Sequence, residues 1–181
     1  MDSINLTNSS LKNKRRSLDF YPTPPTVTWA LLNFLNLPLN YLIWEPACGT
    51  MEMVNVIREY GYKCYATDII SGTDFLKTSS EGVKFDAIIT NPPFAESENF
   101  IKHAIALAPT VAMLVKSQYW HSKKRSVLFE SNPPTYILPL TWRPDFMNGE
   151  RGGAPTMEVL WTVWIRGVTD TRYRLLHKEN K

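Results

Sequence analysis

Cysteine is scarce in this chain, and nothing about its placement is structural. Cys48 and Cys64 are the two among 181 residues, and their spacing fits no metal-ligand motif. This argues against a disulfide framework and predicts reduced thiols in a cytoplasmic protein that uses no metal. No apolar run is long enough to cross a bilayer, and the polar N-terminus has no signal-peptide core, so no membrane contact is expected. Charge of one sign is also in short supply: 20 Lys and Arg against 17 Asp and Glu leave a net +3. A pI near 8.8 suits a polyanion partner without requiring one. Internal repeats and low-complexity tracts are missing as well, and the oligomeric state is left open.

What is present suffices for one domain, since 44% of the residues are apolar, enough for a single core at this length. Residues 1–18, with Lys12, Lys14, Arg15 and Arg16, read as a flexible basic segment. Residues 19–170 read as the folded domain and 171–181 as a polar C-terminal tail. Within the domain, helical and strand patterns alternate. The spacing predicts a helix from Val27 to Leu35 capped by Thr26, a strand at Tyr41–Trp44, and a helix from Met53 to Tyr60 stopped by Gly61. Strands follow at Lys63–Asp68, Phe85–Thr90, Thr110–Lys116, Tyr136–Trp142 and Met157–Ile165, with helices at Glu98–Leu107 and Lys123–Phe129 between them. That alternation predicts an α/β fold with a mostly parallel, doubly wound sheet. No helix separates the last two strands, so they form a hairpin and the last strand is antiparallel. Trp161 and Trp164 read as packing groups. The stretch from Arg143 to Pro155 holds Gly149, Gly152 and Gly153, and a loop this long in a compact domain is usually functional or mobile.

In an open parallel sheet, ligands bind outside the carboxyl ends of the strands. The informative residues fall at such ends. Glu45-Pro46-Ala47-Cys48-Gly49 follows the first strand, and Gly49 lets the backbone approach a ligand closely. Asp68 ends the second strand, where a carboxylate can accept both ribose hydroxyls or cap a helix. Asp74-Phe75 offers an acceptor and an apolar wall, or merely a turn. Cys48 reads as a small packing residue. Asn91-Pro92-Pro93-Phe94 ends the next strand. Two prolines fix φ and remove donors, so an amide oxygen and a carbonyl stand ready for the hydrogens of a ring-borne amino group. Phe94 can stack on that ring.

Taken in order, Glu45 to Gly49, Asp68, Asp74-Phe75 and Asn91 to Phe94 resemble the amino-methyltransferases that use S-adenosylmethionine. More narrowly, the chain resembles small phage and prophage N6-adenine DNA methyltransferases, which also carry a segment like Asp19 to Pro25. The resemblance covers about residues 19 to 165. It implies a Rossmann-like, seven-stranded class I methyltransferase domain with an antiparallel last strand. It implies S-adenosylmethionine as cofactor, with Tyr21, Thr23 and Pro24 at the methionine end and Glu45, Pro46, Ala47, Cys48 and Gly49 along the middle. Asp68 would bind the ribose, Ile69 and Phe75 would pack near the adenine, and Asp74 would meet its amino group. Met51 departs from the family, which often has a second glycine there. A methionine disfavours positive φ, so either the turn differs or cofactor affinity is weakened.

The implied reaction is methyl transfer to adenine N6 in DNA, with Asn91, Pro92, Pro93 and Phe94 as the catalytic set. Asn91 Oδ1 and the Pro92 carbonyl would accept the two amino hydrogens; an aspartate would serve at position 91, and asparagine keeps the geometry without the charge. Lys123, Lys124 and Arg125 follow a strand end on that edge and read as phosphate contacts or a solvated helix start, and the expected hairpin brings Arg143 and Arg151 to the same edge as further candidates for nucleic-acid contact. There is no inserted domain of the size usually needed to read a DNA sequence. Two alternatives stay open: an RNA adenine-N6 methyltransferase, and a non-catalytic cofactor-binding scaffold.

Overall fold

The structure is a computed structural model, and it describes residues 21–79, 82–147 and 154–178. The expected basic segment 1–18, Arg151 and the loop glycines lie outside the described residues, as do residues 179–181.

Helix α1 spans Pro25–Leu35, with Pro24 at the N-cap and no side-chain cap bond. Thr26, expected as the cap, sits inside the helix instead. A proline in the first turn lacks only an N–H that the helix leaves unpaired there. The helix stops at Asn36, whose left-handed backbone (φ 42°) returns its N–H to the Leu32 carbonyl. Strand β1 is Leu42–Glu45, helix α2 is Glu52–Glu59 and strand β2 is Lys63–Ala66. Strand β3 is Ala87–Thr90, α3 is Ser97–Leu107, β4 is Thr110–Lys116 and α4 is Lys123–Ser131. Strand β5 is Tyr136–Pro139, β6 is Val159–Ile165 and β7 is Arg172–Tyr173.

These strands form one seven-stranded sheet in the order β2-β1-β3-β4-β6-β5-β7. Strands β2, β1, β3 and β4 run parallel to their neighbours. Strand β6 is inserted between β4 and β5 and is antiparallel to both, as the missing crossover helix predicts. Several strands are shorter than the apolar runs suggest. At Asp86 the reason is local: its carboxylate takes the Leu42 N–H at 2.8 Å, so the side chain supplies an acceptor just ahead of β3.

Both faces of the sheet are covered. Ile43, Ala87, Ile89, Ala112, Leu114 and Trp161 point to the side of α1 and α2, where Leu31, Leu32, Val56 and Ile57 meet them. Trp44, Ile88, Val111, Met113, Val115 and Trp164 point the other way, toward Phe100, Ile101 and Ala104 of α3. Successive side chains of a strand alternate faces, so double coverage demands the unbroken apolar runs seen in β3 and β4. Trp161 and Trp164 are packing groups whose indole N–H groups find the carbonyls of Val27 (3.1 Å) and Asn132 (2.9 Å).

Residues from 171 onward read as a tail, yet Arg172 and Tyr173 pair in parallel with Tyr136 and Ile137. Leu176 is buried, its N–H donates to the Pro139 carbonyl, and its carbonyl accepts from Thr141. An edge strand with both side chains exposed is held by backbone pairing, so it leaves almost no hydrophobic pattern to read.

Candidate active site

The carboxyl ends of β1, β2 and β3 open into one crevice. A cavity of about 440 Å³ lies there, within the usual range for small-molecule sites. Its walls include Tyr21, Thr23, Glu45, Pro46, Ala47, Cys48, Gly49, Asp68, Ile69, Asp74, Phe75, Asn91 and Pro93. These residues come from five separate stretches of sequence, all of which the sequence marks as candidate site. Pro24, Pro92 and Phe94 are not part of this wall. Pro24 is occupied as the cap of α1, and Pro92 is buried.

The loop after β1 is tied down by two carboxyls. Glu45 Oε1 accepts from the Ala47 N–H at 2.9 Å and from the Thr90 hydroxyl at 2.5 Å. Its side chain is buried, and burial pushes its pKa up to about 8, against the lowering effect of those two hydrogen bonds. Asp68 accepts from the Gly49 N–H (2.9 Å) through one oxygen and from the Ile70 N–H (2.8 Å) through the other. It is therefore a staple between the two loops as well as a candidate ligand, and its remaining lone pairs stay available.

Met51 resolves one of the two alternatives left by the sequence. It takes the left-handed backbone (φ 76°, ψ 8°) directly before α2. Its N–H donates to the Cys48 carbonyl and its carbonyl accepts from Asn55, each at 2.8 Å. The turn is thus kept, and the methionine carries a backbone strain of about 1–2 kcal/mol that a glycine would not.

Asn91 stands at the end of β3. Its Nδ2 donates to the Tyr21 carbonyl and to the Thr23 hydroxyl, both at 3.1 Å. A carbonyl oxygen only accepts, so the amide nitrogen must face it. The amide oxygen faces the other way, buried and without a hydrogen-bond partner. An unpartnered buried acceptor is rare and asks for an explanation. The same contacts correct the expectation that aspartate would serve here, because a carboxylate oxygen would face the Tyr21 carbonyl. The Pro93 carbonyl is engaged by the Glu96 N–H (2.9 Å) and the Ser97 hydroxyl (3.2 Å).

Around the cavity, Phe75 is locked by Trp44, Phe100 and His103, with ring centroids 5.0, 4.8 and 4.8 Å away. Asp74 caps the short turn Phe75–Lys77 by accepting from the Leu76 N–H. A hydrogen bond from Lys77 holds its carboxyl below the usual range. Ile69 and Ile70 are 68% and 76% exposed, an unusual state for two adjacent isoleucines on a cavity rim. The carboxyl-bearing lining residues are Glu45, whose raised pKa leaves it largely neutral, and Glu52, Asp68, Asp74 and Glu96; among the described residues no lysine or arginine joins them. Glu52 and Glu96 were missed in sequence because a surface glutamate has no distinguishing neighbour pattern.

The expected nucleic-acid contacts stand apart from this wall. Lys123 is exposed at the start of α4, while the side chain of Lys124 lies outside what is described. Arg125 is committed elsewhere: its Nε donates to the Tyr119 carbonyl at 2.6 Å and its guanidinium lies 4.2 Å from the Tyr119 ring centroid. Arg143 pairs with Glu158 at 2.6 Å on the surface. A basic group that the sequence did not flag, Lys116, places its ammonium 3.9 Å from the centroid of the Phe94 ring. Among the described residues no helix is long and apolar enough to cross a membrane.

No family profile and no curated protein matches the sequence. Solved structures do match in fold. The methyltransferase subunit of a type I restriction-modification system from Streptococcus thermophilus superposes with a TM-score of 0.66 at 11% identity, over 86% of this chain and 47% of that one. The M protein of the type I restriction enzyme EcoKI gives 0.58 at 13% identity, over 83% and 44%. A protein assigned as an RNA methyltransferase from Pyrococcus horikoshii gives 0.55 at 14% identity, over 82% and 87%. The chain spans about half the length of the restriction-modification subunits it matches. The fold is the Rossmann-like α/β fold of class I methyltransferases, with its antiparallel strand inserted near one end.

Proposed function

We propose that this chain transfers a methyl group from S-adenosylmethionine to the N6 amino group of adenine in DNA. The observation that carries the reading is Asn91. Its amide nitrogen is fixed by Tyr21 and Thr23, its oxygen is buried without a partner, and the residue lines the cavity. An amino hydrogen of the acceptor base supplies the missing donor.

The cavity's charge supports the cofactor. Its charged residues are all acidic, a lining that repels phosphate-bearing dinucleotides and suits a donor with a sulfonium and an ammonium group. Bound there, S-adenosylmethionine supplies an electrophilic methyl to the N6 lone pair. Asp68 offers its remaining lone pairs to the ribose hydroxyls, Ile69 covers the adenine face, and Tyr21 and Thr23 close the methionine end. The buried Glu45 holds the loop from beneath.

On the acceptor side, Asn91 Oδ1 accepts a hydrogen bond from one N6 hydrogen, and the proton that N6 sheds after transfer leaves to solvent. The Pro93 carbonyl is engaged in its own turn, so the Pro92 carbonyl takes the other. Phe94 stacks on the base and steadies positive charge developing on it, worth about 0.5–2 kcal/mol. Alignment of the amine and the methyl can supply roughly 7–11 kcal/mol. A target base in a duplex must leave the stack at a cost of a few kcal/mol.

The test is methyl transfer from labelled cofactor to duplex DNA, single-stranded DNA and RNA, followed by nucleoside mass spectrometry. N6-methyladenine in DNA is the expected product. Transfer to RNA alone would replace the DNA assignment, a second reading favoured by the size match with the Pyrococcus protein. Cofactor binding without transfer to any of the three would leave the non-catalytic scaffold.

A further inference from the structure

We infer that Lys116 positions the acceptor nucleotide by gripping the phosphodiester beside the target base, an inference that rests on the acceptor role proposed for Phe94. Lys116 is the last residue of β4, at the same sheet edge as the loop from Asn91 to Phe94. Strands β3 and β4 run in parallel register, which brings the lysine over the aromatic ring, with Nζ 3.9 Å from the centroid.

The ammonium is in an unsettled place. Lys77, Lys102 and Arg143 each pair with a carboxylate; among the described residues none pairs with Lys116. Its ammonium rests on the π face of Phe94, a weak contact where water competes. That face is the one a stacking base needs. Tyr21 also leans on Phe94, at 5.5 Å between centroids. Tyr21, however, is held by Phe146 (6.3 Å) and by its carbonyl bond to Asn91. Of the two neighbours, the lysine is the one that can leave, because its ammonium rides on a flexible four-carbon stem. An arriving nucleotide therefore displaces the ammonium and brings an anion within reach of it. Two other basic groups expected at this edge are already engaged, Arg125 by Tyr119 and Arg143 by Glu158.

The experiment measures binding of a fluorescent adenine-containing single-stranded DNA, and of the matching RNA, to the full chain over a salt series. Wild type is compared with Lys116→Met, which keeps an unbranched stem, and with Lys116→Arg, which keeps the charge. Lys116→Gln replaces the methionine variant if that one fails to fold. In Lys116→Met the slope of log K against log salt should become shallower by about 0.7, the share of one phosphate on a single strand. KM for the polynucleotide should rise several-fold while the cofactor dissociation constant holds, and Lys116→Arg should restore the slope. A shallower slope with one nucleic acid alone names that one as the source of the phosphate. An unchanged slope in the uncharged variant, or wild-type binding indifferent to salt, overturns the assignment. Methyl transfer with no slope change would remove only the lysine's role; a slope change with no methyl transfer would remove only the proposed reaction.

Discussion

The hydroxyl of Thr90 donates to Oε1 of Glu45 over 2.5 Å, joining the end of β3 to the end of β1 inside the protein. One residue further on each side lie Asn91 and the first turn of the glycine loop. The bond thus fixes the distance between the two halves of the crevice.

Burial raises the Glu45 carboxyl from an ordinary 4.5 to about 8. Between those values the unfolded chain releases the proton and the folded chain keeps it, so this group makes folding less favourable as pH rises. Glu45→Gln retains an acceptor and removes the titration. Its stability relative to wild type should rise between pH 5 and 8 by on the order of a few kcal/mol. Urea titrations at several pH values check this; parallel curves would mean that Glu45 is ionised in the fold.

Asn91→Ala should abolish turnover and leave the cofactor dissociation constant within a few-fold. Asn91→Asp should also be poor, at least about 100-fold slower, since one oxygen would face the Tyr21 carbonyl and one donor bond of about 1 kcal/mol or more is lost. Single-turnover methyl transfer beside calorimetry separates the two effects. Normal turnover in either variant ends the case for the amide cradle.

Asp68→Ala should raise the cofactor dissociation constant by about tenfold or more, equivalent to about 1.4 kcal/mol. It removes the ribose acceptors and also the acceptors for the Gly49 and Ile70 N–H groups. Asp68→Asn keeps one acceptor and should fall between. Calorimetry with the cofactor gives the ranking, and equal affinities would place the ribose elsewhere.

Met51→Gly should stabilise the fold by about 1 kcal/mol. It relieves a left-handed methionine, partly offset by glycine's greater freedom when unfolded. Chemical denaturation reads the difference directly, and a destabilised variant would show that the methionine side chain matters more than its backbone.

Arg125→Ala should lower stability more than it lowers nucleic-acid affinity. Its guanidinium is already bound to the carbonyl and ring of Tyr119. Thermal melts and anisotropy titrations on the same preparation compare the two losses; the opposite order would return Arg125 to the binding surface.

Much of this site was legible because strand ends announce themselves. The apolar run ending in Asn91-Pro92-Pro93-Phe94 and the turn at Gly49 placed two loops at one edge, and they do line one cavity. What escaped were features set by pairing rather than pattern. Strand β7 is held by backbone bonds to β5, and its residues look like those of any polar tail. Lys116 reads as the end of a strand, and only the register of β3 against β4 brings it over Phe94. Arg125 reads as a free cation until its bond to Tyr119 is seen. The reach of Asn91 to Tyr21 and Thr23 spans some 70 residues of chain, beyond any local rule.

The acidic lining of the crevice has a bearing on release. In the proposed reaction the donor arrives with a positive sulfur and departs as a neutral thioether. Glu52, Asp68, Asp74 and Glu96 would attract the first more strongly than the second. The spent molecule would then be the looser guest, and each cycle would clear its own pocket for the next.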